Sequence, residues 1–158
     1  MKKNVILSGV LGSVLIFGVF VGHAAKWDKN SYVDANIQSG YYDADSIKVK
    51  GTAVNWTEKY ILTSIGVTTI TANISKHQAC KQNIDKMGDI TQIQLDYQIE
   101  KGKFRGVAKR YYNKGNKLLC TNKDTGDEFK TAWNKIVRGS PIEQAQYDLV
   151  SKYKVKFP

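Results

Sequence analysis

Two short stretches carry the side chains that could do chemistry. In "YYDADSIKVKGTAVNWTEKYIL", Asp43 and Asp45 stand two apart with Ser46 beside them. Extended backbone would point both carboxyls the same way, which is the geometry of an acid and base pair. No histidine lies near them, and the residues between are small. The plainer reading is structural: Asp43 ends a short strand at Tyr41-Tyr42, and Asp45 or Ser46 closes a turn with its side chain before Ile47 and Val49 begin the next strand. The second stretch is "KHQAC", where His77 precedes Cys80 by three. A thiol activated by a histidine is a nucleophile, but Cys80 has a competing use in a disulfide.

Metal sites fit poorly. A calcium loop of the EF-hand kind needs glycine at its sixth position and glutamate at its twelfth. Counted from Asp34, those positions hold Ser39 and Asp45. A zinc site needs three or four ligands, and His77 with Cys80 and Cys120 falls short. No glycine-rich phosphate loop and no serine-elbow pattern is present. The reading is of no metal, no cofactor and no catalytic group, hence not an enzyme; a small hydrolase using His77, or Asp43 with Asp45, is the weaker alternative. Asn55-Trp56-Thr57 and Asn73-Ile74-Ser75 match the glycosylation acceptor, but both fall within expected strands.

The elements that would position these groups follow from the patterning. Val54, Trp56, Tyr60 and Leu62 alternate with Asn55, Thr57 and Lys59. Ile93, Leu95, Tyr97 and Ile99 alternate with Gln92, Gln94, Asp96 and Gln98. Period two with one polar face predicts antiparallel strands wet on one side. "VTTITANIS", residues 67–75, is β-branched and reads as a third strand with Ile70, Ala72 and Ile74 on one face. Residues 90–100 and 103–113 form a hairpin across "EKGK", and "NKLLCT" adds a short strand. The connection 76–89 holds a short helix or a loop, and 121–135 loops towards the last element. That element starts at Ser140, with Pro141 at the first helical position and Glu143 three after the cap. Ile142, Ala145, Leu149 and Val150, with Tyr153, share its apolar face, predicting a helix over 141–153. The fold class is therefore α+β: an antiparallel, meander-like sheet of about five or six strands with a C-terminal helix packed on one face.

The chain opens with Lys2 and Lys3, an apolar run from Val5 to Val21, and a small-x-small site at Gly22-His23-Ala24. This order predicts a secretory signal over 1–24, with a single domain over 25–158; an uncleaved membrane anchor is the rival reading. No cysteine follows the apolar run, so no lipid anchor is expected there, and no other segment is apolar enough to span a membrane after cleavage. The expected location is outside the cytoplasm: periplasm, cell surface or extracellular space. In an exported chain, Cys80 and Cys120 read as one disulfide rather than two free thiols. Closing its loop of about 41 residues is worth roughly 4 kcal/mol in chain entropy.

The formal charge is +10, and removing Lys2 and Lys3 lowers it to +8, since residues 1–24 hold no other charged side chain. Such a balance favours anionic partners. Its densest region is the hairpin, where Lys101, Lys103, Arg105, Lys109, Arg110, Lys114 and Lys117 fall within seventeen residues. Alternation puts Lys103, Arg105 and Lys109 on one face with Val107 and Tyr111. Phe104, Ala108, Arg110 and Tyr112 take the other. Lys101, Lys103, Arg105, Lys109 and Arg110 are the candidate ligand-binding residues, gripping an acidic polymer by charge and stacking. The alternative is a solvated edge strand kept from pairing by its lysines.

Trp27, "YYDADSIKVKGTAVNWTEKY", "RYYNKG" and "AWNKIVRGSPIEQAQYDLVSKY" together resemble the surface-adhesin E-like domain of exported bacterial proteins. The likeness is clearest at Tyr42-Asp43, Asp45-Ser46-Ile47, and from Trp133 through Gly139-Ser140-Pro141. The resemblance implies an antiparallel sheet with a C-terminal helix and a non-enzymatic role in binding extracellular-matrix or other host proteins. The expected partners are such a protein or an acidic polysaccharide, not nucleic acid. The alternative is a periplasmic structural or assembly module acting through a sheet edge, with a homodimer left open.

Overall fold

The structure is a computed structural model that describes residues 25–30, 34–127, 129 and 132–157. The expected signal segment, 1–24, lies outside the described residues. Along the chain run β1 (Trp27–Asn30), β2 (Gln38–Lys50), β3 (Ala53–Leu62), α1 (Ser64–Ile74), α2 (Gln78–Met87), β4 (Gln92–Glu100), β5 (Lys103–Tyr112), β6 (Leu118–Thr121), α3 (Asn122–Thr125), β7 (Asn134–Lys135) and α4 (Pro141–Ser151). The strands form one antiparallel sheet in the order β1 to β6, with the short β7 added to β5. The α+β meander read from the sequence is what forms.

The alternation in β3 and β4 sets the register. Trp56 stands opposite Tyr97, Tyr60 opposite Ile93, and Val54 opposite Ile99, all on one face. That face is covered at both ends by helices. At one end α4 lies over Tyr42, Val54, Trp56, Ile99 and Phe104, burying Ala145 and Leu149. Ser140 caps it by accepting the Glu143 N–H at 3.2 Å, and the Glu143 carboxylate accepts the Gly139 N–H at 2.6 Å. The helix stops at Ser151, and Val150, expected on its buried stripe, is 47% exposed. At the other end α1 and α2 lie over Leu62, Ile93, Leu95 and Tyr111.

The expected strand at 67–75 is instead α1. Thr63 caps it by accepting the Gly66 N–H at 3.2 Å. Val67, Ile70 and Ile74, three and four apart, then pack on the core. β-branched residues cost a helix only tenths of a kcal/mol each, less than burying those side chains returns. Gly66 lets the helix start close against the chain, because a Cβ there would run into the Ile37 carbonyl. The connection after it resolves as helix α2, and Cys80 on α2 is bonded to Cys120 on β6 with Cα atoms 5.3 Å apart, both cysteines buried. Among the described residues no helix is long and apolar enough to cross a membrane.

Two irregularities matter for function. The segment at Asp43–Ser46 is no corner between two strands: β2 runs through it. Residues 44–47 bulge opposite Trp56 alone, between the pairs Asp43–Thr57 and Lys48–Asn55. In β5, Ala108 pairs with Asp96 but Gly106 pairs with Tyr97, so Val107 is an extra residue. An extra residue reverses which face every later side chain meets.

Candidate functional site

The bulge at Val107 divides the basic row read from the sequence. Lys103 and Arg105 stay on the outer, solvent face. Beyond the bulge the phase flips, so Arg110 joins that outer face, while Lys109 turns onto the helix-covered face opposite Leu95. The expected grouping of Lys103, Arg105 and Lys109 with Val107 and Tyr111 is therefore corrected. Lys101 sits in the exposed hairpin turn with Gly102, whose φ of +77° suits glycine. The strand is interior rather than an edge, pairing with β4, β6 and β7.

Neighbours occupy most of the outer charges. The Arg110 guanidinium donates to Asp96 at 2.6 Å, which also accepts from the Thr57 hydroxyl. Arg105 donates to Gln98 at 2.7 Å, Gln98 donates to Asn55 at 2.7 Å, and Lys103 pairs with Glu100 at 2.9 Å. The Trp133 ring lies against Lys103 and Arg105, 5.1 and 4.9 Å from their charges. Across the same face, Lys59 rests 3.9 Å from the centre of the Trp27 ring.

The acids of the opening stretch are structural. Asp43 accepts the Asp45 N–H at 3.1 Å. Ser46 donates to the Asp43 carbonyl at 2.7 Å and accepts the Thr57 N–H at 2.7 Å. These bonds hold the bulge together. Asp34 accepts the Asn36 N–H at 2.9 Å in a turn. The Cys80 sulfur is spent in the disulfide, so no thiol faces His77. His77 borders a hollow of about 340 Å³ under α1. Among the described residues no cluster of three or more His, Cys, Asp or Glu could hold a metal ion.

What the fold builds is a cleft of about 800 Å³ on the helix-covered face, in the gap between the two caps. The loop before β2 and the segments after α3 and before α4 rim it. Glu58 lines it from the middle of β3, only 3% exposed. One carboxylate oxygen accepts the Trp56 indole N–H at 2.9 Å, and the other accepts the Tyr60 hydroxyl. These donors lie two residues to either side on the same strand face. Burial pushes the Glu58 carboxyl above its ordinary range, and the two hydrogen bonds oppose but do not cancel that push. Burial likewise raises the phenols of Tyr60 and Tyr97, with the Glu58 charge adding to it.

The walls are aromatic. Tyr97 stacks on Trp56 with centroids 5.0 Å apart, and Phe129 tilts against Tyr97 at 5.5 Å. Gly106 permits this, because a Cβ there would collide with Phe129. Lys109, turned inward by the bulge, is held by Asp127 at 3.1 Å. Burial works against its charge, but the Tyr111 and Asp127 partners outweigh that and leave the ammonium favoured. Asp127 sits below the usual carboxylate range because it accepts the Phe129 N–H, with Lys109 contributing.

Sequence reasoning missed Glu58. Its signal was present: in "TAVNWTEKYILT" the inward phase runs Val54, Trp56, Glu58, Tyr60, Leu62, an acid on the oily phase between two aromatic donors. A scan against protein-family models and searches of curated proteins and of solved structures find no match to this chain.

Proposed function

We propose that this chain is an exported, non-enzymatic binding domain that takes its ligand in the cleft between the two helical caps. The observation that carries the reading is the floor of that cleft: a nearly fully buried carboxyl among aromatic rings, in a hollow of about 800 Å³. That volume falls in the ordinary range for small-molecule sites, and such sites combine apolar walls with a few convergent polar groups. The disulfide accords with an oxidising compartment outside the cytoplasm. The motif resemblance to surface-adhesin E-like domains supports a binding role. The basic hairpin is the weaker ligand site, because Lys103, Arg105 and Arg110 already have partners.

An amide-detected NMR screen with small aromatic fragments tests the reading. Shifts should concentrate at Glu58, Tyr60, Tyr97, Lys109 and Phe129. Shifts confined to 103–105 and Trp133, or none across the library, would overturn it. A hydrolase panel run on wild type and Glu58→Gln addresses the second half: turnover that disappears in the variant would make the protein an enzyme.

A further inference from the structure

Resting on the cleft as the ligand site, we propose that its ligand is a small organic cation, a protonated amine on an aromatic or aliphatic body, with the ammonium group set against Glu58. The argument is one of unmatched charge. The titratable groups around Glu58 come from every neighbouring element. β3 supplies Tyr60, and β2 supplies Tyr42, the register partner of Glu58, on which Asp148 of α4 also acts. β4 supplies Tyr97, β5 supplies Lys109, the segment after α3 supplies Asp127, and Asp34 and Lys135 lie at the rim.

Lys109 is the half-buried ammonium of the cleft, and it is matched by Asp127. Among the described residues no cation pairs with Glu58; its partners are the neutral indole and phenol. Burial disfavours the charge of a carboxyl that has no counter-charge among the described residues, and an incoming cation would supply one. The surrounding rings add a second attraction of the same sign. Tyr60, Tyr97 and Phe129 line the hollow, and aromatic faces attract cations most strongly where water is excluded. An anionic ligand finds an acid at the floor and, beside it, the Lys109 ammonium already engaged, with Lys135 only at the rim.

Protons report the same event. Burial lifts the Glu58 carboxyl, while an adjacent ammonium favours its ionised form. Binding should therefore release protons. Affinity should rise with pH through the Glu58 titration, until the amine itself discharges at about pH 10.

The experiment uses three probes that share an indole body: tryptamine, indole-3-ethanol and indole-3-acetate. Calorimetry on the full chain should show tryptamine binding at least about tenfold more tightly than the alcohol, with the acetate weakest. Repeating the titration in buffers of different ionisation enthalpy should reveal proton release. Glu58→Gln, which imitates the neutral carboxyl in shape, should erase both the preference for tryptamine over the alcohol and the proton release. If that variant fails to fold, Phe129→Leu serves instead, since it keeps apolar bulk but loses the ring face and should weaken tryptamine more than the alcohol. Equal affinity for the three probes, or tightest binding of the acetate, with shifts still in the cleft, would sink the cation and leave the cleft standing. No binding by any of the three overturns the cation too, and the fragment screen alone then decides the cleft.

Discussion

The two ends of the covered sheet face are closed in different ways. At one end, two helices inserted between β3 and β4 lie over Leu62, Ile90, Ile93 and Tyr111, and the Cys80–Cys120 bond ties α2 to β6. At the other, α4 is held by apolar packing of Ala145 and Leu149 and, just beyond it, by the Tyr153 hydroxyl donating to Asp28 at 2.8 Å. One cap is covalent and sits within the chain's middle; the other is non-covalent and near its end. The cleft lies between them with Glu58 on its floor. The start of α4, at Pro141 and Ile142, lines the cleft, so local opening there draws on the non-covalent cap.

The comparison can be broken most strongly at the covalent end. Replacing Cys80 and Cys120 together by Ala should lower unfolding stability by about 4 kcal/mol, read from denaturant titration. A loss below about 1 kcal/mol would mean the helices hold that end unaided. Leu149→Ala attacks the other end and should cost about 3 kcal/mol as a buried truncation. Hydrogen exchange should accelerate in α4 well before α2; equal acceleration in both would merge the two caps into one cooperative unit.

Between the caps, Glu58→Gln should produce a smaller, pH-dependent change. Burial raises the Glu58 carboxyl in the folded protein. Its contribution is therefore complete below the unfolded value and is lost as pH rises through the folded value. Wild type and variant should match at pH values below the unfolded carboxyl range, and the variant should gain relative stability as pH rises above it. A wild type that gains on the variant with rising pH would refute the burial argument. Ser140→Ala removes the cap of α4 and should cost about 1 kcal/mol, frayed only at that helix by far-UV dichroism and exchange. Smallest of all, Arg105→Glu should move elution from a heparin column only slightly, since Arg105 is engaged by Gln98 and stacked near Trp133. A large shift to lower salt would restore the outer face as an anion site.

Much of the scaffold was legible in the residues. The alternation from Val54 to Leu62 and from Gln92 to Ile99 announces β3 and β4, because one wet and one dry face leave a period of two. Ser140, Pro141 and Glu143 announce α4 through local hydrogen bonding that needs no tertiary partner. The pair Cys80 and Cys120 followed from counting. The site was harder to see. Residues 67–75 read as a strand by their β-branched types, and only the core available to Val67, Ile70 and Ile74 selects the helix.

By itself, then, the sequence determined the antiparallel strands, the terminal helix and the disulfide, all of which rest on periodicity, capping or residue count. The tertiary structure alone decided where the charges point. A single extra residue at Val107 sends Lys109 inward to Asp127 and leaves Arg105 outside, because a strand shows alternate faces and one inserted residue exchanges them. It also decided that two separate caps leave a gap above Glu58. No run of neighbouring residues encodes a gap, since it is formed by elements far apart in the chain failing to meet.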